Sequence, residues 1–418
     1  MTSFLISGNR KLSGELSIHG AKNAALPILT ASILHQGTMI FHQCPDILDV
    51  RYTLRMLNAA GCVVLRDQDT VIVNASNVHK CDFPADCAAK LRSSILFLGA
   101  ALGRCGEITL DYPGGCTIGS RPIDIHLDAL RQMGAKITES DGKIYCRAYK
   151  LTGCRIRLPY PSVGATENIM MAATLADGVT VIENAAREPE IMDLGGFLEA
   201  AGVLVKGAGT ETVSIIGQKK LKDTEYLIMP DRIVAGTYLS AVAAAGGEIE
   251  LTNINEDDIS ALLIVLKQAG CEVCVKAPEG IYLKAPERLH AVRNIHTEPF
   301  PGFPTDMQSQ IMAALSKADG ISRIHEHIFE DRCNIAPELL KMGADIRIEK
   351  NHTAVIRGVE KLQGAATAAR DLRGGAALVI AGLAAEGDTI VENAIFIDRG
   401  YQDICGDLKK LGADIRHT

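Results

Sequence analysis

The stretch "LKQAGCEV", residues 266–273, closes an apolar run on a glycine and then alternates apolar with polar residues. That pattern reads as a helix C-terminus, ended by a residue free to take the left-handed conformation, followed by a strand. The phrase recurs as "LNAAGCVV" (57–64), "LRQMGAKI" (130–137), "LEAAGVLV" (198–205), "LKMGADI" (340–346) and "LKKLGADI" (408–415). Its glycines, Gly61, Gly134, Gly202, Gly270, Gly343 and Gly412, are separated by 73, 68, 68, 73 and 69 residues. A second phrase precedes each one: "QGTMIFHQ", "CGEITLDY", "DGVTVIEN", "GGEIELTN", "DGISRIHE" and "EGDTIVEN", each a turn leading into a short strand. Helix-like stretches such as "ENIMMAATLA" lie between the phrases. Each copy of about 70 residues therefore predicts strand, helix, strand, helix and a strand pair. The fold class is α/β, and six copies divide into two domains of three.

Working outward, the polar run 217–226 after the third copy is the expected linker. The N-terminal stretch "FLISGNRKLSGELSIHG" precedes the first helix and is expected to pair with the last copy. The domains are then 22–229, and 1–21 plus 230–418. The chain of 418 residues is 47% hydrophobic and 22% charged, an ordinary globular profile with ample core. A net charge of −7 excludes a global attraction for nucleic acid, so any anionic ligand needs local cations. Twelve cysteines without regular spacing read as reduced thiols, and Cys271 with Cys274 lacks the second pair a zinc site needs. No secretory signal or membrane-length apolar run is visible, so a cytoplasmic protein without a membrane partner is expected.

In register, the first helices begin near Lys22, Arg92, 162–166, Arg232, Asp306 and Arg373, and the second near 45–49, Arg121, 187–190, 255–258, Arg332 and Arg399. Helix N-termini already favour anions, so arginine there runs against the local preference for acids. One such arginine reads as a surface ion pair, whereas several at equivalent positions point to bound phosphate or carboxylate. The second copy is also longer: Gly106 to Arg121 takes fifteen residues, against nine in the third copy and twelve in the fifth and sixth. The surplus is the loop "YPGGCTIGS", a glycine-hinged lid candidate that carries Cys116 close to Arg121 and a helix start, where a thiol's pKa falls. Asp306 is the one acid at a first-helix start, readable either as an N-cap or as a base for a hydroxyl proton.

These residues stand in stretches, "SIHGAKNAALPIL", "PGGCTIGSRPIDIH", "PSVGATENIM", "ENAAREPEI", "PDRIVAGTYL", "FPTDMQSQ" and "IDRGYQDI", that resemble the enolpyruvyl transferases of peptidoglycan precursor synthesis acting on UDP-N-acetylglucosamine. The resemblance runs end to end. It implies a two-domain inside-out α/β barrel with three pseudo-repeats per domain and an active site in the cleft between them. It also implies transfer of enolpyruvyl from phosphoenolpyruvate to a 3′-hydroxyl by addition and elimination, with no metal or organic cofactor. By the same resemblance, Cys116 is the general acid, able to form an S-adduct with the substrate and the target of fosfomycin. Asp306 takes the hydroxyl proton, and Lys22, Arg121 and Arg399 hold phosphoenolpyruvate, with Arg92, Arg332 and Arg373 nearby. Asn23 contacts the sugar; Pro122, Ile123, Asp124, Ile125, His126, Ser162, Val163, Gly164 and Ile328 line the nucleotide. Two alternatives stay open: an enolpyruvyl transferase acting on shikimate 3-phosphate, which needs no thiol on this loop, and a non-catalytic protein that senses the nucleotide sugar.

Overall fold

The computed structural model describes residues 2–418 except Lys80, Asp82, Gly115, Cys116, Thr117, Ser120 and Arg121. All six phrase-ending glycines take positive φ, from 84° at Gly343 to 100° at Gly134, where any side chain would be strained. Each ends a helix and releases the chain into a hairpin, as the repeat predicts. The fourth copy shows the full unit. Strand Thr224–Leu227 leads to helix Arg232–Ala245, strand Gly247–Thr252, helix Ser260–Gln268 and the hairpin Glu272–Lys276 with Gly280–Lys284.

Four-stranded sheets recur, with one parallel edge strand and three antiparallel strands. The second copy departs from this, because the short helix Ala85–Ala88 stands where the opening strand would be and its sheet has three strands. Two strand exchanges were not legible in the sequence. Strand Leu12–Ser17, which opens the first copy, pairs in parallel with Gly247–Thr252 of the fourth. Strand Thr224–Leu227, which opens the fourth, pairs in parallel with Thr38–His42 of the first. The end of the expected linker is therefore sheet, held further by Tyr226, whose hydroxyl donates to Asp193 Oδ1 at 2.8 Å. Strand Ser3–Ser7 does join the last copy, lying between Asp388–Glu392 and Asp414–His417.

The described residues form two compact units. One comprises 20–114 and 122–229; the other comprises 2–19 and 230–418 together with Ile118 and Gly119. Gly20 and Ala21 go with the first unit, where the Ala21 N–H donates to the Met229 carbonyl at 2.7 Å. Each unit has its own apolar core. In the second unit, helices Arg232–Ala245, Gln308–Leu315 and Leu372–Ala384 are buried at every position but Ala245 and pack on one another, with the sheets against them. A helix apolar on every side is what such a central layer requires. The second helices, such as Asp124–Gln132, bury only one face. Among the described residues no helix is long and apolar enough to cross a membrane.

Candidate active site

In the second unit the N-terminal ends of the central helices bring acids and arginines together. Asp231 and Asp371 are true N-caps: Asp231 Oδ1 accepts from the N–H groups of Ile233 and Val234, and Asp371 Oδ1 from those of Arg373 and Gly374. Gly374 suits that cap, since a β-carbon there would lie 2.7 Å from Asp371 Oδ2. Asp306 is not a cap. It sits in the short 3-10 turn Thr305–Met307, whose capping position is Pro304, and turns its carboxylate to two buried guanidiniums. Arg332 Nη2 donates to Oδ1 and Arg373 Nη2 to Oδ2 at 3.1 Å. Arg332 Nε also donates to Thr305 Oγ1 at 3.2 Å.

Burial works against the Arg373 charge, but Asp306, Tyr401 and Asp231 outweigh it and hold its pKa above the ordinary value. Its Nη1 is buried with no hydrogen-bond partner among the described residues. Arg399 ends the 3-10 segment Ala394–Arg399 rather than starting a helix; the helix begins at Ile404, capped by Asp403. That segment packs on the start of the Arg373 helix, where a β-carbon at Gly375 would meet Ile397 Cγ1 at 2.7 Å.

The first unit holds the other candidates. Lys22 starts helix Lys22–Ala31 and is buried against Asp49, Nζ to Oδ2 2.7 Å, with Asn23 half-buried beside it. Arg92 starts a 3-10 turn, and its Nη1 donates to the Pro113 carbonyl at 3.4 Å, just ahead of the cysteine loop. Ser162 caps helix Val163–Thr174. His126 lies against that helix start: a β-carbon at Gly164 would be 3.1 Å from His126 Cε1, a tight approach that would push on the imidazole. Asn168 Nδ2 lies 3.1 Å from His126 Nδ1 and donates to the Ile95 carbonyl at 3.0 Å. With the amide donating, Nδ1 accepts and the ring proton sits on Nε2. Pro122 and Asp124 are exposed, Ile123 is buried and Ile125 half-buried, leading into helix Asp124–Gln132.

The structure thus joins Asp306, Arg332 and Arg373 in one cluster, and His126 with Ser162–Gly164 in another. Ile328 is half-buried in the turn before Arg332. Cys116 and Arg121 lie outside the described residues. Sequence reasoning missed Asp49, Thr305, Asp371 and Asn168. Asp371 carried a readable signal, an aspartate directly before an apolar helical run, whereas Asn168 offered none inside its helix.

Residues 6–408 match the family described as EPSP synthase (3-phosphoshikimate 1-carboxyvinyltransferase). The chain is 49% identical over 415 residues to the UDP-N-acetylglucosamine 1-carboxyvinyltransferase 2 of Caldanaerobacter subterraneus subsp. tengcongensis, covering 99% of each. It is 45% identical over 418 residues to the UDP-N-acetylglucosamine 1-carboxyvinyltransferase of Cellvibrio japonicus, covering 100% of this chain and 99% of that one. Among solved structures, the enolpyruvyl transferase NikO from Streptomyces tendae superposes with a TM-score of 0.89 at 25% identity, covering 100% and 99% of the two chains. An EPSP synthase from Acinetobacter baumannii gives 0.76 at 19% identity over 100% of both chains, a likeness of fold.

Proposed function

This chain belongs to the UDP-N-acetylglucosamine 1-carboxyvinyltransferases of the EPSP synthase family, and from that membership we propose that it moves the enolpyruvyl group of phosphoenolpyruvate onto the 3′-hydroxyl of UDP-N-acetylglucosamine, releasing phosphate. The step belongs to peptidoglycan precursor synthesis in the cytoplasm. In the addition, Asp306 takes the hydroxyl proton as the sugar oxygen attacks C2 of phosphoenolpyruvate. Cys116 delivers a proton to C3, giving a tetrahedral ketal. In the elimination, the C2–O bond to phosphate breaks and a C3 proton passes to the Cys116 thiolate, restoring the double bond and the thiol.

The observation that supports the role of Asp306 is the Arg332–Asp306–Arg373 cluster, an acid withdrawn from helix capping and set between two buried guanidiniums. Guanidinium forks suit phosphate and carboxylate, so an anionic substrate competes with Asp306 for them and frees the carboxylate to accept a proton. Lys22, Arg92, Arg121 and Arg399 are the remaining cations for phosphoenolpyruvate. Asn23, Pro122–His126, Ser162–Gly164 and Ile328 are proposed for the sugar and nucleotide.

The test is phosphate release with both substrates, repeated after fosfomycin treatment, with shikimate 3-phosphate replacing the nucleotide sugar in a parallel assay. Activity with the nucleotide sugar alone, abolished by a single adduct on Cys116, is expected. Burial pushes the thiols of Cys44, Cys62, Cys146, Cys271 and Cys333 up to about 12, which leaves them poor nucleophiles. Exposed Cys274 and half-buried Cys105, whose pKa is lowered by a hydrogen bond from Cys81, are the competing sites to be mapped. Phosphate release with shikimate 3-phosphate, or full activity after alkylation, rejects the assignment.

A further inference from the structure

The second repeat phrase ends on a residue that the fifth copy changes. Its last position holds Gln43, Tyr112, Asn184, Asn253, Glu326 and Asn393 in chain order. In four copies this residue takes a left-handed turn: Gln43, Asn184, Asn253 and Asn393 have φ between 55° and 58°. The three asparagines use their amide alike, donating to the carbonyls of Leu158 (2.9 Å), Ile18 (2.6 Å) and Ala369 (3.3 Å) at the end of the neighbouring opening strand. Glu326 has no hydrogen to donate when ionised, and it is absent from the left-handed set. Tyr112 of the second copy is absent from that set too, but only the fifth copy places a carboxylate at this position, and it is the copy that carries Asp306.

Glu326 is 2% exposed and collects four neutral donors. Its Oε1 accepts from Thr297 Oγ1 at 2.9 Å and from the N–H groups of Ile328 at 2.9 Å and Phe329 at 3.1 Å. Its Oε2 accepts from Thr305 Oγ1 at 3.0 Å. One carboxylate therefore ties together the turn bearing Ile328 and the residue directly before Asp306. Thr305 links two partners: its hydroxyl gives its only proton to Glu326 and accepts from Arg332 Nε. The chain of contacts runs Glu326–Thr305–Arg332–Asp306, with each orientation fixed by the one before it.

We propose that Glu326 is a positioning residue of the reaction, fixing through Thr305 and the 328–329 turn where Asp306 and Ile328 meet the nucleotide sugar. This rests on the roles given above to Asp306 and Ile328. Glu326→Gln is a selective probe, because its amide oxygen can keep the three Oε1 contacts while its nitrogen faces Thr305. The Thr305 hydroxyl would then face two donors, the new amide and Arg332 Nε, and lose the acceptor for its own proton.

The experiment compares wild type, Glu326→Gln, Thr305→Val, the double variant and Asp306→Asn, measuring steady-state phosphate release and thermal unfolding. In Glu326→Gln, kcat is expected to fall by about tenfold or more, and KM for UDP-N-acetylglucosamine to rise, from one lost hydrogen bond. KM for phosphoenolpyruvate should stay within about twofold, and the double variant should be no worse than its weaker parent, since both changes break one contact. Three results overturn the proposal: unchanged kcat in Glu326→Gln, an equal rise in both KM values with a large loss of Tm, or full additivity with Thr305→Val. If Asp306→Asn keeps wild-type kcat, the base role fails; if it is crippled while Glu326→Gln is not, only the positioning role fails.

Discussion

At single residues, the contrast is between acids that cap and acids that pair. Asp231 and Asp371 satisfy helix N–H groups, while Asp306, one position type away, is turned to Arg332 and Arg373. Both fates suit an aspartate at a helix start, so the sequence left them open. The choice depends on arginines 26 and 67 residues further on, which no local pattern reports. Lys22 poses the same question. Its ammonium is buried against Asp49 at 2.7 Å, and breaking a buried pair by removing one member leaves a charge without its counter-ion. Asp49→Asn is therefore expected to cost about 3 kcal/mol in urea unfolding. The apolar pair Lys22→Met with Asp49→Leu should recover most of that stability yet release no phosphate, separating the structural role of the pair from the substrate-binding role proposed for Lys22. Full stability in Asp49→Asn would show that other partners of Lys22 carry the charge.

Among elements, the helix ends were the most legible part of the fold. A φ near 90° admits essentially one residue type, so a glycine at fixed spacing is a direct readout of backbone geometry. The strand exchanges were not legible, because Leu12–Ser17 and Thr224–Leu227 are short edge strands without apolar alternation, whose residues do not specify a neighbour. Helix Val163–Thr174 adds a feature hidden from pattern reading: Glu167 is buried within it. Burial first, then the charges of Glu190 and Glu188, hold its pKa well above the ordinary 4.5. The folded state thus keeps a proton that the unfolded chain releases. Its contribution to stability is complete below about pH 4.5 and is lost as pH rises towards the folded pKa. Glu167→Gln removes that loss, so its advantage in Tm over wild type should grow between pH 5 and pH 8, read from melts across a pH series. Parallel curves would mean that Glu167 is ionised in the folded protein.

For the whole molecule, the two separate cores set how damage spreads. The second unit is discontinuous, since the sixth copy's sheet is completed by Ser3–Ser7, placed centrally between Asp388–Glu392 and Asp414–His417. Phe4 and Ile6 point from this strand into the core that includes Leu239, Val379 and Val391, while the first unit's core contains neither. Phe4 also packs edge-on against His417, ring centroids 4.7 Å apart. Phe4→Ala removes a fully buried ring and is expected to cost about 3 to 4 kcal/mol. Because the loss falls within one core, amide exchange should accelerate in Asp388–Glu392 and Asp414–His417 while Thr38–His42 and Thr70–Asn74 keep their protection. Equal acceleration in both sets would show that the chain unfolds as one cooperative body in spite of its two cores. The unequal pattern would show that the N-terminal strand, first in sequence, stabilises the unit that carries Asp306, Arg332 and Arg373.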